Sequence, residues 1–441
     1  MSFTQDQKLV LINQALFSIH AALTASFIIP FALVLGASNT IVGVLHAVQF
    51  FAIMLAQIPG EKVVEKLGRR VVYLSTTPLA RLLWFLIVLI PVYFNNSLVL
   101  LVFGFFLINF FEYLSHPAFM SMIADTVPSK VRGWFFSRKM VVKTFFNTII
   151  FWLAGYYLDL FPKASTYGFI NIMLLGVVIG VMSSVVLSGL SVKNRLHLPT
   201  HKIKDYFKIK GNLRKFIIYV FCFNFAYSIA GPFFTVYMLE NLGMSYSVFV
   251  TFSIISVVIR LLAHPHLGKI CDLYGDKPVA VVTVFGTALV PLLFFFITPS
   301  TLWILPIAFI ASGFFWAGAD LTTINMLLDF TNRRDRAFQV SAYTFYTALP
   351  IVIAPIIGGW IADSSGLVIL GIALTGIPLV FIISTILRAS TPLLLFTVPE
   401  VRVKQKYPLT TVFMKVIEIH PERGIINMVR YVAHKVNGRK K

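Results

Sequence analysis

Apolar residues run along this chain in twelve long blocks separated by short polar breaks, roughly at 9–35, 39–60, 71–93, 97–124, 139–159, 167–191, 214–239, 245–263, 278–298, 302–328, 337–362 and 367–388. A helix of about 20 mostly apolar residues crosses the hydrocarbon of a bilayer. The pattern therefore predicts an all-α polytopic membrane protein with twelve transmembrane helices. Only after Arg388 does the pattern become amphipathic. Leu409, Val412, Phe413, Val416 and Ile417 fall on one helical face before Pro421, and Ile425, Met428, Val429, Val432 and Val436 repeat the spacing after Gly424. Two short helices with basic polar faces, lying in the membrane interface, are expected there. A regulatory or partner-binding tail is the alternative.

The polar breaks repeat. Asp125, Arg132, Gly155 and Asp159 recur as Asp329, Arg336, Gly359 and Asp363, and Gly36 and Gly68 recur as Gly243 and Gly275. Two copies of one layout predict two pseudo-symmetric six-helix bundles, a common build for secondary transporters. The expected organisation is a first bundle at 1–191, a basic linker at 192–213 with Asp205 its one acid, a second bundle at 214–388 and a basic tail at 389–441.

Composition agrees with the pattern. The chain is 58% hydrophobic and 12% charged, too few charges to cover a soluble protein of this size. The net charge is +20, and its placement carries more than its size. Arg81 and Arg260 fall within spans and Lys163 in a loop on one side. Every other Lys and Arg lies on the opposite side, in the amino terminus, the even-to-odd loops, the tail, or helix ends facing them. The positive-inside rule then puts both termini in the cytoplasm of a cell whose plasma membrane holds the protein. The basic residues sit beside helix ends without interleaved stacking aromatics. They suit anionic lipid head groups and not nucleic acid. The first block is too long for a signal-peptide core. Cys222 and Cys271 suggest neither a disulfide framework nor a metal site, and no phosphate-cradling Gly-Lys-Ser/Thr loop points to ATP. No cofactor and no enzymatic chemistry are expected.

Two loops carry a family resemblance. After the eighth span stands Gly268-Lys-Ile-Cys-Asp272-Leu-Tyr-Gly275-Asp276-Lys277. After the second stands Glu61-Lys-Val-Val-Glu65-Lys66-Leu-Gly68-Arg69-Arg70, with Gly60 one place early and Glu65 in place of aspartate. The first resembles the signature loop of the major facilitator superfamily, and the second is its altered sister. The stretch Pro117–Arg138, its sister Leu328–Arg336 and the helix around Ala354–Asp363 are also similar to that superfamily. The resemblance covers roughly 9–388. It implies alternating access, with spans 1, 4, 7 and 10 around a central cavity. The loops have a physical job independent of the name. A Gly-rich turn lets helices approach, an acid can face a helix amino end, and a basic residue can pair with Asp125 or Asp329. The expected near-side latch is Glu65, Gly68, Arg69, Arg70, Asp125 and Arg132, with Gly268, Asp272, Gly275, Lys277, Asp329 and Arg336. Topogenic charge and capping alone is the bland reading.

Polar and ionisable residues deep in spans are functional candidates by default. They are His20 in span 1, Asn109, Glu112 and His116 on one face of span 4, Asn224 and Tyr227 in span 7, and Asp320 in span 10. At 1.5 Å per residue, Glu112 lies about 20 Å from Asp125 and Asp320 about 14 Å from Asp329. Glu112 is the first candidate for the coupling proton and Asp320 the second. Arg81, however, can reach Glu112 as a structural ion pair. His20 and His116 read as satisfied buried imidazoles or as coupling sites, and Arg260 as a snorkelling residue. Pro30 and Pro232, with Gly231, predict kinks in spans 1 and 7 that free backbone carbonyls or only help packing. The leading reading is a proton-coupled secondary transporter of a small solute. The alternative is a non-transporting sensor or scaffold on the same fold.

Overall fold

The computed structural model describes residues 4–127, 131–190, 209–332, 335–364, 367–369, 372–374, 376–403 and 407–417. Most of the expected linker, the second tail helix and the side chains of Glu61 and Arg132 lie outside the described residues. Among the described residues, twelve helical spans are long and apolar enough to cross a membrane: Gln5–Val34, Asn39–Ala56, Arg69–Tyr93, Leu98–Ile123, Trp134–Leu158, Tyr167–Gly189, Gly211–Asn241, Tyr246–Tyr274, Asp276–Phe295, Ile304–Phe330, Phe338–Asp363 and Gly376–Leu395. They are called spans 1 to 12. The side bearing the amino terminus is called the near side and the other the distal side.

Local chemistry sets the ends. Thr4 and Gln7 form a reciprocal capping box at the start of span 1, satisfying two otherwise orphaned amides. The helix of span 2 runs on to Leu67 and stops at Gly68, whose φ of +85° starts the next helix at once. Gly275 does the same between spans 8 and 9 with φ of +93°. That backbone region strongly favours glycine, which accounts for the repeat of this pair.

Span 12 begins nine residues later than its apolar block. Leu367–Ile369 and Ile372–Leu374 form a two-stranded antiparallel hairpin, and the helix starts only at Gly376. Hydropathy alone cannot separate an apolar hairpin from a helical turn. The late start moves Arg388 from the expected end of the span into its interior, since helix continues to Ser390 and resumes over Pro392–Leu395.

The chain divides into two compact units. The first is Met1–Asp205 with Ser228–Thr251 and Ala348–Val380. It therefore holds the first six spans together with the distal ends of spans 7, 8, 11 and 12. Val10, Val64, Val72, Met122, Phe135 and Leu187 fill its near-side core. The second is Tyr206–Tyr227, Phe252–Thr347 and Phe381–Lys441. Its core is aromatic, with Phe216, Tyr219 and Phe223 buried beside Trp316 and Tyr343. The tail helix Leu409–Ile417 docks on this unit, with Val412 and Val416 fully buried against Leu267, Val279 and Phe314. Phe413 and Met414 remain exposed. The helix is thus anchored to protein by one apolar strip and free to meet lipid with another.

Candidate functional site

Spans 1 and 7 are discontinuous. Span 1 breaks at Thr24, passes through a tight turn at Ala25–Phe27, and resumes as Ile28–Val34. Span 7 breaks after Ser228 and resumes as Phe233–Val236 beyond Pro232. Proline removes an amide and clashes with the carbonyl four residues back, so Pro30 deprives the Ser26 carbonyl of its helical donor. A cavity of about 150 Å³ opens at these breaks within the first unit. Ser26, Pro30, His46, Gln49, Phe105 and Thr235 are among its lining residues. His46 and Gln49 are on span 2, outside the candidates that the sequence suggests. They carry no pattern beyond a helical neighbourhood.

The sequence-derived candidates separate into clusters. In the first unit Arg81 and Glu112 form an ion pair, with Arg81 Nη2 also donating to Glu112 Oε1 at 2.8 Å. Arg81 lies over the Phe17 ring at 4.9 Å. His20 is buried beside them, its Nδ1 2.8 Å from the Gly176 carbonyl and its ring edge-on to Trp84. Asn109 donates to the Phe105 carbonyl of its own helix at 2.8 Å. The helix of span 4 breaks at Ser115, and His116 starts the next segment, exposed. The expected continuous Asn109–Glu112–His116 face is therefore interrupted.

In the second unit Asp320 pairs with Arg260 at 3.1 Å, and Arg260 lies over the Trp316 ring at 5.8 Å. Arg260, expected to snorkel, is thus a partner of the span-10 acid. Tyr227 packs edge-on against Trp316 at 5.0 Å, and Asn224 donates to the Thr347 carbonyl at 2.8 Å. Arg388 is 2% exposed. It donates to Ser384 Oγ at 3.0 Å and to the carbonyls of Thr287 and Tyr227 at 3.1 and 3.3 Å. Both carbonyls stand where a helix is interrupted, so one guanidinium satisfies acceptors freed by two breaks. Sequence reasoning missed it because the apolar block ends there.

The near-side loops differ between the halves. Arg69, 1% exposed, pairs with Asp125 and donates to Ser121 Oγ at 2.7 Å. Arg70 donates to the Ser188 carbonyl, and Glu65 is exposed. In the second half the partner of Asp329 is Arg402, from beyond span 12, at 3.1 Å. Arg402 also stands 3.1 Å from the buried Asp276 and 4.0 Å from the exposed Asp272. Arg336 instead donates to Thr331 Oγ1 at 3.3 Å. Lys277 presents its backbone amide to Glu400 at 2.8 Å, and Gly268 is half-buried beside Leu321. Both of these ion-paired groups join spans or tail of a single half.

The distal side is different. Asp363, at the end of span 11, accepts from the amide and side chain of Asn39 at 3.1 and 2.9 Å, and from the amide and hydroxyl of Thr40 at 2.8 and 2.7 Å. Asp159, at the end of span 5, accepts from the amides of Tyr246 and Ser247 at 2.8 and 2.9 Å. Each carboxylate thus caps the amino end of a span from the other sequence half, where free amides and the helix dipole favour an anion. A Cβ at Gly359 would stand 2.5 Å from the Asn39 carbonyl, and one at Gly155 3.0 Å from Val250. Close approach of the helices requires glycine at 359 and leaves little room for a side chain at 155. The repeated Gly-x-x-x-Asp element is therefore a pair of clamps joining the two halves.

The Major Facilitator Superfamily profile matches residues 10–264 and 216–430. No curated protein sequence matches the chain. Among solved structures, a bacterial homologue of the iron transporter ferroportin in an inward-facing state is 13% identical, with a TM-score of 0.71, covering 90% of this chain and 99% of that one. The nucleoside transporter NupG is 14% identical with a TM-score of 0.67, covering 93% and 99%. The inward-open xylose transporter XylE from E. coli is 14% identical with a TM-score of 0.63, covering 92% and 98%. At these identities the likeness shows the fold alone. The profile match across the chain and the twelve spans make this an integral multi-pass membrane protein that belongs to the major facilitator superfamily.

Proposed function

We propose that the protein is a secondary active transporter, and not an enzyme, that moves a small solute by alternating access with a proton as coupling ion. The twin clamps carry this reading. They are the contacts in which carboxylates of one half hold helix ends of the other, and they repeat with the internal symmetry of the chain. A helix end held by charge-assisted hydrogen bonds can be released and recaptured by water without unfolding anything. The Arg69–Asp125 pair and the Arg402 cluster would keep each half rigid while the clamps open and close. With the basic side in the cytoplasm of a plasma-membrane protein, the clamped state is the one closed to the outside.

Glu112 is the proposed proton carrier, exchanging its contact with Arg81 for a proton during the cycle. Asp320, paired with Arg260, is the second candidate. His20, Asn109, His116, Asn224 and Tyr227 then line or brace the pathway. The test is counterflow in proteoliposomes with an Asp159→Asn, Asp363→Asn double variant. Ser26→Cys in that background should label faster with a membrane-impermeant maleimide from the distal side, and counterflow should slow. Wild-type labelling and wild-type counterflow together would sink the clamp as a gate. For the coupling role, Glu112→Gln should keep counterflow and lose uphill accumulation.

A further inference from the structure

Four spans place the cavity at one depth. Ser26 stands eight residues before the distal end of span 1, Phe105 and His46 seven after the distal starts of spans 4 and 2, and Thr235 six before the end of span 7. At 1.5 Å per residue all lie about 9–12 Å below the distal surface, within the hydrocarbon core. The Asp363 clamp at Asn39 and Thr40 sits on the same helix as His46 and Gln49, about two to three turns above them. The clamp therefore holds the distal end of the helix that carries two of the lining residues.

The lining mixes apolar side chains with a few polar ones. It contains no Asp, Glu, Lys or Arg. Among the described residues the side chains of His46, Gln49 and Thr235 hydrogen-bond to no protein group. Ser26 Oγ donates to the Ala21 carbonyl at 3.2 Å and keeps its acceptor capacity. The charged and amide candidates at membrane depth are engaged elsewhere: Glu112 by Arg81, Asp320 by Arg260, and Asn109 and Asn224 by backbone carbonyls. Polar groups at such depth need partners. Here an imidazole, an amide and two hydroxyls all face one space, and each can both donate and accept except where Ser26 has spent its proton. An ion entering this space would lose its hydration with no counter-charge to meet it. A group that both donates and accepts without charge would satisfy the whole set.

We infer that this cavity is a solute subsite, formed by His46, Gln49, Thr235 and the Ser26 turn, that takes an uncharged hydroxyl-bearing solute through its hydroxyl groups. The Phe105 ring supplies the apolar wall against which the carbon face of such a solute packs. A space of about 150 Å³ holds roughly five waters at their liquid volume, so it fits one ring or polyol segment. The inference rests on the transporter reading and adds the chemical class of the cargo. It also gives span 2 a role in recognition, linked through one helix to the Asp363 clamp.

The test uses the full-length protein in detergent and in proteoliposomes, with D-xylose and uridine as uncharged probes and lactate and choline as charged ones. Binding is followed by thermal shift and intrinsic tryptophan fluorescence. At least one uncharged probe should bind. Gln49→Leu and Thr235→Val, both close in shape to the native residues, should each weaken it about three- to tenfold, the worth of one neutral hydrogen bond. Binding of the charged probes alone overturns the inference, as does binding of no probe, or uncharged binding unchanged in both variants. Failure of the transport reading is separate. A probe that binds in a Gln49-dependent way but shows no counterflow leaves the subsite and removes transport. A charged probe that is transported normally by both variants does the reverse.

Discussion

The two near-side loops occupy equivalent places in the repeat and solve the same problem with opposite charges. After Gly68 comes Arg69, and it pairs with Asp125 across the first half. After Gly275 comes Asp276, buried, and the equivalent of Asp125 is Asp329. Two acids therefore face each other where the first half has an ion pair. Arg402 enters from the tail and bridges them, while Glu400 caps the adjacent helix start through the Lys277 amide. The difference teaches that the second loop, closer to the superfamily signature by sequence, is the one that needs help from outside its repeat. It also shows that part of the tail is structural to the second half.

The largest effect is expected from writing the second half's residue into the first. Arg69→Asp sets two carboxylates together with no tail arginine to neutralise them. Removing one member of a buried pair costs about 3–5 kcal/mol, and the half-exposed Asp125 puts this case near the lower figure. Thermal unfolding of the detergent-solubilised protein should fall clearly, and an unchanged midpoint would break the comparison. Arg402→Ala should cost about 2 kcal/mol for the same reason, weakened by the partial exposure of Arg402. The compensating double change, Arg402→Ala with Asp276→Arg, rebuilds the first-half arrangement. It should recover about 1 kcal/mol of that loss in a double-mutant cycle, and simple additivity would show that the two loops are not equivalent. The smallest effect belongs to Arg336→Ala. Its guanidinium holds Thr331 and not Asp329, so unfolding should shift by less than about 0.5 kcal/mol. A loss as large as that of Arg402→Ala would return Arg336 to the latch.

The legible part of the site was the part that repeats or is charged. The Gly155–Asp159 and Gly359–Asp363 spacing was visible in the chain, but only the contacts with Tyr246 and Asn39 show what it clamps. Arg81 with Glu112 could be anticipated because both are rare at depth and sit in a hairpin of adjacent spans. Arg260 with Asp320 could not, because spans 8 and 10 are not sequence neighbours. Arg388 was hidden by an apolar hairpin that reads as helix, and His46, Gln49 and Thr235 by being uncharged.

By itself the sequence determined the twelve spans, the two-fold repeat and the superfamily. Those follow from properties summed along the chain: apolar length, which water and lipid enforce locally, and spacings that need no partner to be recognised. Tertiary structure alone decided which helix end each aspartate caps, where the arginine that closes the second loop comes from, and which neutral side chains share a cavity. A capping carboxylate or a neutral hydrogen-bonding group acts over about 3 Å and in one direction. Its partner is therefore chosen by how helices distant in sequence pack, which no single stretch of residues encodes.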